Sequence, residues 1–300
     1  MKIKNDYFFF LAKVLNKFRV LKPISTSFNR YRHSQIMHSI YPYLAKALEE
    51  TYSDKKVDSY INNGPIWIFW WQGEENMPAL VKECYNSVLR NKCNRNVILI
   101  TKYNFRDYTN ISKTIIKKFE KGFLTVTHFS DILRFNLLKN NGGLWLDATI
   151  FVNKPLPNKY FNGSLFTCPI SNGNNNFFVS EGKWTGFIIG GSKKNELFDF
   201  MNKFFELYWK DNNNLIDYFL IDYALSFAWQ KNLGHFKEYT ENNRNKNNPH
   251  LYDLYPLLNS SFNPSKFKLI QQNTEMYKLS YKGKVESKHD TFYEKVVIQY

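Results

Sequence analysis

The stretch Thr127–Val152, THFSDILRFNLLKNNGGLWLDATIFV, decides the fold because a helix, a glycine turn and a buried strand follow one another directly. Apolar residues recur at helical spacing after Ser130, a favourable N-cap whose hydroxyl can accept from a free amide of the first turn. Asn141-Gly142-Gly143 ends the helix, since glycine enters the left-handed region without a Cβ clash. The segment Leu144–Val152 then reads as a strand covered on both sides, interrupted only at Asp147-Ala148-Thr149.

Charged side chains of this stretch are predicted to meet at one end of the strand. Asp131 and Arg134 are three residues apart, so they share a helix face. Leaving even a neutral polar group unpaired in a buried strand costs about 2–7 kcal/mol. We therefore expect Asp147 to emerge at the end of the strand, in a cleft beside the first two.

The segment before this stretch predicts a βαβ unit. Gly64-Pro65 is followed by the apolar run Ile66–Trp71, and a helical pattern then leads to a second strand, Asn96–Thr101. Trp70 and Trp71 fall where a parallel strand releases its ligand-binding loop, although packing explains either ring equally well. Residues 105–121 then predict a basic helix, and residues 124–126 a short strand.

The remaining segments complete a single large α/β domain. We predict a Rossmann-type domain over residues 61–300, with a central, mixed but mostly parallel sheet flanked by helices, and a basic helical extension over residues 1–60. The predicted elements are strands at Phe177–Val179, Trp184–Gly191, Tyr277–Leu279 and Phe292–Ile298, helices at 194–210 and 215–232, and a mobile loop or lid at Glu241–Pro249.

The amino-acid composition limits which binding partners and which cellular compartment the protein can have. The chain has 41 Lys and Arg against 26 Asp and Glu, and a net charge of +15 that favours anionic partners, although a biased codon composition accounts for it equally well. Three cysteines without a Cys-x-x-Cys pair, no long apolar run and no cleavage signal predict a cytoplasmic protein. The helix of residues 1–20, basic and rich in Phe, either lies on the anionic inner face of the cell membrane or packs on the domain.

The stretch around Asp147 resembles the sugar-binding region of glycosyltransferases with an Asp-x-Asp motif, which include yeast initiating mannosyltransferases and large clostridial glucosylating toxins. It is most similar to bacterial capsular polysaccharide synthesis proteins, which read Ser-Asp-x-x-Arg and then Gly-Gly-x-Trp-x-Asp-Ala-Thr. Here Ser130-Asp131, Arg134, Gly142-Gly143, Trp145 and Asp147-Ala148-Thr149 match that pattern. The resemblance covers residues 64–155 well, and it implies a GT-A-like fold.

The resemblance also implies a reaction: retaining transfer of a hexose-type sugar from a nucleotide diphosphate, most simply a UDP-sugar, to a hydroxyl of a glycan or lipid-linked glycan. Asp131 and Arg134 would hold the sugar, and Trp70 or Trp71 would stack on the base. Asp147 would bind the ribose or a Mg²⁺ or Mn²⁺ ion. His128, just before the predicted helix, either contacts the diphosphate or is a structural histidine. In this fold class Trp184–Gly191 is a candidate for the acceptor wall, and a plain core strand explains it equally well.

One position departs from the wider pattern and leaves the metal open. Thr149 stands where the second Asp of the motif normally binds the metal, and a hydroxyl is a weak ligand. Either another group completes the metal site, with Asp222 and His289 as candidates, or Lys and Arg side chains neutralise the diphosphate.

Two other classes of function compete with transfer. A nucleic-acid-binding protein would interleave basic and aromatic residues on one surface, whereas most aromatic residues here fall in core-like runs, so we expect no nucleic-acid partner. A non-catalytic capsule-assembly protein would keep the fold and lose the full metal motif, which would make Thr149 a remnant.

Overall fold

A five-stranded sheet organises the chain in the computed structural model, which describes residues 2–17, 22–52, 63–170, 176–286 and 288–299. The spatial order of its strands is β2-β1-β3-β6-β5, and β4 and β7 form a separate two-stranded sheet. The strands are β1 (Ile66–Phe69), β2 (Val97–Ile100), β3 (Gly143–Leu146), β4 (Ile150–Val152), β5 (Leu165–Thr167), β6 (Ile188–Gly191) and β7 (Met276–Lys278).

The central sheet is mixed, with four of its five strands running in one direction. Strand β1 pairs in parallel with β2 and with β3, and Ile66 lies opposite both Val97 and Leu144. Strand β6 is antiparallel to β3 and to β5. The predicted α/β class with a mixed, mostly parallel sheet is confirmed, and so are the two parallel strands of the predicted βαβ unit.

Helices flank the sheet. They are α1 (Lys2–Lys17), α2 (Lys22–Tyr52), α3 (Ala79–Asn91), α4 (Phe105–Tyr108), α5 (Lys113–Glu120), α6 (Val126–Asn141), α7 (Glu196–Asp211), α8 (Leu220–Gln230), α9 (Phe236–Asn242) and α10 (Pro264–Ile270). Short 3₁₀ turns cover Glu74–Asn76, Asn158–Tyr160, Leu233–His235 and Tyr255–Leu257, and a π-helix covers Tyr293–Ile298.

The two faces of the sheet bury separate apolar cores because successive side chains of a strand point to opposite faces. Trp67 and Trp145 join the core that α2, α6, α7 and α8 cover. Ile66 and Leu144 join the opposite core, which contains Val81 and other residues of α3. This alternation explains why β1 and β3 are apolar throughout, as expected for strands buried on both sides.

The glycine turn after α6 has the predicted role. Gly142 and Gly143 have φ values of 66° and 103°, in the region that favours glycine. The Gly142 amide donates to the Leu138 carbonyl at 2.8 Å, and the Trp67 indole donates to the Gly142 carbonyl at 2.8 Å. The turn therefore ends the helix and packs directly against β1.

The start of α6 differs from the prediction. The helix begins at Val126, one turn before Ser130, and the hydroxyl of its N-cap Thr125 accepts from the His128 amide. Ser130 instead donates to the Thr127 carbonyl at 2.6 Å, within the helix. The extra turn buries Phe129, which stacks on the ring of Phe119 at 4.1 Å, so residues 124–126 do not form the predicted strand.

Several other predicted boundaries were wrong. Phe177–Val179 lies in turns, only Ile188–Gly191 of the predicted strand Trp184–Gly191 is extended, and residues 293–298 form a π-helix instead of a strand. The predicted helix 105–121 is broken in two because Ser112 caps α5, its hydroxyl accepting from the Ile115 amide. The helix predicted at 215–232 begins only at Leu220.

The segment Glu241–Pro249 is hydrogen-bonded to the neighbouring backbone through buried asparagines, and it is not the predicted mobile lid. Asn247 and Asn248 are buried. The Asn247 amide donates to the Thr167 carbonyl at 3.1 Å, and the Asn248 side-chain oxygen accepts from the amides of Glu275 and Met276 at 2.8 and 2.9 Å. Asparagine-rich composition misled the sequence analysis because these amides satisfy buried backbone groups instead of facing water.

The amino-terminal helices pack on the domain in the described residues. Helix α2 buries Ile36, Ile40, Leu44 and Ala47 in the same core as α6 and α7. On α1, Ala12 is fully buried and the Phe9 ring packs against Phe177, Tyr218 and Phe219 at 5.6–6.0 Å. Among the described residues, no helix combines the length and the apolar character needed to span a membrane.

Replacing Gly143 by alanine should destabilise the fold strongly. A Cβ at Gly143 would run into the Pro65 carbonyl oxygen, and its φ would be strained as well. Overpacking a core typically costs about 1–3 kcal/mol, so we expect a loss of at least about 2 kcal/mol in the free energy of unfolding. Urea denaturation measures it.

The matched control is Gly73→Ala, because Gly73 has a similar φ of 92° but open space around its Cβ position. Equal losses in the two variants would show that backbone strain alone, and not the close approach of β1 and β3, sets the requirement at Gly143.

Candidate functional site

Asp147 lies at the carboxyl end of β3, in the middle of the sheet. Its amide donates to the Phe187 carbonyl at 3.0 Å, which holds it at the edge of β6. Its side chain is 31% exposed, so the carboxylate reaches solvent at the end of the strand as predicted. Ligands of open α/β sheets bind at this edge.

Helix α6 brings Asp131 and Arg134 to the same place. Arg134 donates to the Asp131 carboxylate at 2.9 Å and to the Asp147 carboxylate at 3.4 Å. The side chains of Arg134 and Asp131 are only 5% and 13% exposed. The guanidinium carbon lies 4.9 Å from the Trp145 ring centre. The structure thus brings together the three charged residues that the sequence singled out.

Chain geometry explains the meeting. From Gly142 back to Arg134 the helix rises roughly 12 Å, at about 1.5 Å per residue. From Gly143 forward to Asp147 the strand rises roughly 13 Å, at about 3.3 Å per residue. The glycine turn reverses the chain between α6 and β3. Arg134 and Asp147 are therefore at about the same distance from the turn, and their side chains meet at the carboxyl edge of the sheet.

Lys278 is the fourth charged group of the site, and the sequence analysis missed it. Its ammonium donates to the Asp147 carboxylate at 2.9 Å and to the Thr149 hydroxyl at 2.8 Å. Strand β7 places it there, because Lys278 pairs with Ile150 in the two-stranded sheet. The only signal in the sequence was a lysine within an apolar strand pattern, Met276–Leu279.

Helix α8 adds a third acid. Asp222 accepts from the Trp184 indole at 2.8 Å. The Cβ position of Gly186, close to Trp184 in the chain, lies 3.8 Å from a guanidinium nitrogen of Arg134. Part of the segment predicted as an acceptor wall therefore borders the site. The sequence suggested Asp222 only as a metal ligand. Nothing in the sequence indicated that the Trp184 indole would donate to it.

His128 and His289 have different surroundings. The His128 imidazole bonds to the Thr125 hydroxyl at 2.8 Å and packs against the Tyr218 ring at 5.9 Å. Tyr218 borders the site: burial raises the pKa of its hydroxyl, and the negative charges of Asp131, Asp147 and Asp222 raise it further. His289 is fully exposed and pairs with Glu294 at 3.1 Å. This contact ties His289 to the π-helix and not to Asp147.

The two tryptophans after β1 also differ. Trp71 packs edge-on against Phe119 and Phe129, with ring centres 5.0 and 5.9 Å apart, so its ring belongs to the core. Trp70 donates to the Asn76 carbonyl at 3.2 Å and meets the Tyr281 ring edge-on at 5.6 Å. Trp71 thus packs on the core that contains Phe129, and Trp70 packs on the core of the opposite face, so packing accounts for both rings.

The carboxyl groups of the site titrate differently. Burial raises the pKa of Asp131 to about 7; Arg134 opposes the shift and the charges of Asp147 and Asp222 add to it. Burial raises the pKa of Asp222 to about 6, against the hydrogen bond from Trp184. Burial would also raise the pKa of Asp147, but Lys278 and Arg134 outweigh it and hold that pKa below its usual value. Two acids thus titrate near neutrality beside one that stays ionised, a pattern typical of functional sites.

Comparison with known families decides the identity of the chain. The family model of capsular polysaccharide synthesis proteins matches residues 17–296. The chain belongs to this family of capsular polysaccharide synthesis proteins. No curated protein and no solved structure matches it significantly. The matched range contains α2 and every side chain of the site just described, and the family assigns this protein a role in the synthesis of capsular polysaccharide.

The oxygen atoms at the site of this capsular polysaccharide synthesis protein are poorly available as ligands for a divalent metal. Both oxygens of Asp147 already face N–H groups: one accepts from Trp145 at 3.0 Å and from Arg134, the other from Lys278. Thr149 also accepts from Lys278. The described part of the chain contains no group of three or more His, Cys, Asp or Glu side chains that could hold a metal ion. In this arrangement Arg134 and Lys278 occupy the positions beside Asp147 where a metal would need free carboxylate oxygens.

The raised pKa of Asp131 predicts a pH-dependent stability. Between about pH 4 and 7 the folded protein keeps a proton that the unfolded chain has lost, so the free energy of unfolding should fall as the pH rises. Over the two units from pH 5 to pH 7, this loss should be smaller in the Asp131→Asn variant by up to about 3 kcal/mol, because each pKa unit is about 1.4 kcal/mol. Urea denaturation from pH 5 to pH 8 compares the slopes.

The control is Asp107→Asn, which removes an exposed carboxylate of α4 outside the site. Parallel pH curves for the wild type and Asp131→Asn would show that the Asp131 carboxyl is ionised throughout the range.

Proposed function

We propose that this protein is a glycosyltransferase that moves a hexose-type sugar from a nucleotide diphosphate to a hydroxyl of a capsular or other surface glycan. A UDP-sugar is the first candidate donor. The observation that carries the proposal is the meeting of Asp131, Arg134 and Asp147 at the carboxyl end of β3. A GT-A-type fold and retention of configuration, which the resemblance implies, are part of the same proposal.

Asp131 and Arg134 would bind the donor sugar. An ionised Asp131 carboxylate accepts hydrogen bonds from sugar hydroxyls, and Arg134 holds it in place at 2.9 Å. The planar guanidinium is fixed between two carboxylates and a tryptophan ring, so it is already oriented before the donor arrives. Preorganised groups of this kind lower the free-energy cost of binding and of charge development.

Asp147 would fix the nucleotide. Its carboxylate stays ionised beside Lys278 and Arg134, and it is accessible enough to accept from a ribose hydroxyl. Trp70, whose ring meets Tyr281 at the exit of β1, is the candidate ring for stacking on the base, and Trp71 is the alternative.

The acceptor would enter between β6 and α8. The Trp184 indole fixes Asp222, whose carboxylate would accept a hydrogen bond from the acceptor hydroxyl and orient it for transfer. The partly exposed Phe187 ring, which lies 4.6 Å from the Lys278 ammonium, would offer an apolar face on which a sugar ring packs. The acceptor would be a glycan or a lipid-linked glycan.

A non-catalytic role in capsule assembly is the second candidate, because Thr149 replaces the second acid of the Asp-x-Asp motif. Isothermal titration with a panel of UDP- and GDP-sugars separates the two. Such an assembly protein would bind none of them, whereas a transferase binds its donor and transfers the labelled sugar to a glycan acceptor.

Asp147→Asn should lower the rate of sugar transfer at least about a hundredfold, as for other groups that stabilise developing charge in a buried site. The amide of this variant keeps one acceptor oxygen, which can accept from Trp145 or from Lys278 but not from both. The melting temperature should therefore fall, and transfer is compared at a temperature at which the variant is folded. Transfer from labelled nucleotide sugars measures the effect, with Asp107→Asn as the control on an exposed carboxylate. An Asp147→Asn enzyme with near wild-type activity would remove this residue from the mechanism.

We also propose that α1 binds the anionic inner face of the cell membrane. Tyr7 and Phe10 are 62% and 65% exposed, although neighbouring residues of the same helix are packed on the domain. Together with the exposed Lys13 they recur every three residues, so they share a helix face. An aromatic face beside a basic residue suits the membrane interface.

The double variant Tyr7→Ser with Phe10→Ser should bind anionic phospholipid vesicles at least about tenfold more weakly, because burial of each ring in the interface is lost. Vesicle sedimentation measures it. The control is Leu269→Ser, a similarly exposed apolar side chain on α10. Unaltered sedimentation of the double variant would leave α1 with a packing role only.

A further inference from the structure

The ammonium of Lys278 joins the two outer positions of the Asp147-Ala148-Thr149 motif. It donates to Asp147 at 2.9 Å and to Thr149 at 2.8 Å. An ammonium has three N–H donors, and these contacts use two of them. The side chain is 23% exposed, so the remaining N–H can reach a ligand at the carboxyl edge of the sheet.

The surroundings of Lys278 hold this charge in a fixed position. The Lys278 amide donates to the Leu251 carbonyl at 2.8 Å, and the following amide, of Leu279, donates to the Thr149 carbonyl at 2.9 Å. Asn248 ties down the start of the same strand through the Glu275 and Met276 amides. The Phe187 ring lies 4.6 Å from the ammonium. A flexible lysine is thereby made into a preorganised cation.

A metal ion and this ammonium would compete for the same oxygens. Mg²⁺ needs carboxylate oxygens at about 2.0–2.1 Å, and the oxygen of Asp147 that would supply one accepts from Lys278. The Arg134 guanidinium also lies 3.4 Å from the other oxygen, so an added divalent ion would meet two positive charges. A metal could enter only if Lys278 moved away.

We propose that Lys278 is the resident cation of the donor site, binding the diphosphate of a nucleoside diphosphate in place of a divalent metal. This inference rests on the proposed transferase function. The Lys278 ammonium would place a fixed positive charge beside the leaving diphosphate, with the Arg134 guanidinium behind Asp147, so part of the charge that develops there is neutralised by side chains fixed in advance. Donor binding is therefore independent of Mg²⁺ and Mn²⁺.

The test is isothermal titration of the full-length protein with a panel of nucleoside diphosphates that includes UDP and GDP, in EDTA and in Mn²⁺. The wild type should bind one of them equally well in both. Lys278→Met keeps the length of the side chain and removes the charge, and it should weaken binding in EDTA at least about tenfold, the effect of losing a hydrogen bond to a charged group. Lys278→Arg should restore much of the affinity.

Lys284→Met is the matched control, since it removes the same charge from a side chain that is 86% exposed and pairs with Glu286. Its affinity should equal that of the wild type. If Lys278→Met does not fold, the metal dependence of the wild type and the affinity of Lys278→Arg still decide the question.

The outcomes separate the two proposals. Binding by the wild type only in Mn²⁺, or wild-type affinity of Lys278→Met in EDTA, would overturn the role of Lys278 and leave the transferase proposal intact. Failure of the wild type to bind any nucleoside diphosphate, with or without Mn²⁺, would overturn both.

Discussion

The site depends on one guanidinium that is shared by two carboxylates. Arg134 contacts Asp131 within its own helix and Asp147 at the end of the neighbouring strand, with its face towards Trp145. Removing one partner from a buried ion pair typically costs about 3–5 kcal/mol, since an uncompensated charge remains. The same contacts that orient the functional groups therefore also fix α6 on the sheet.

The local part of this arrangement could be predicted from the sequence. Helical spacing placed Asp131 and Arg134 on one face, and Gly142-Gly143 fixed the reversal of the chain, so the level of Asp147 followed from the rise of a helix and of a strand. Family membership agrees with the resemblance seen in those residues. The helix start was misplaced because Ser130 and Thr125 are both good caps, and only the stacking of Phe129 on Phe119 selects the earlier one.

The non-local part could not be predicted. Lys278 lies 131 residues from Asp147 in the chain, and nothing in a single sequence indicates that β7 pairs with β4. Composition was misleading at Glu241–Pro249, where Asn248, which was expected to face water, binds the backbone of the β7 segment. Trp70 and Trp71 were equally undecided, because an aromatic residue at a strand end suits a ligand or a core, and both rings pack partly on a core.

The pairing of β4 with β7 has a consequence for biosynthesis. The motif at residues 147–149 is translated before its ammonium partner Lys278, which follows Thr149 by 129 residues. A nascent chain on the ribosome, or one shortened by a premature stop codon after α10, would hold Asp131, Arg134 and Asp147 without Lys278. Such fragments would lack one of the four charged groups, so the site is complete only after β7 has been synthesised.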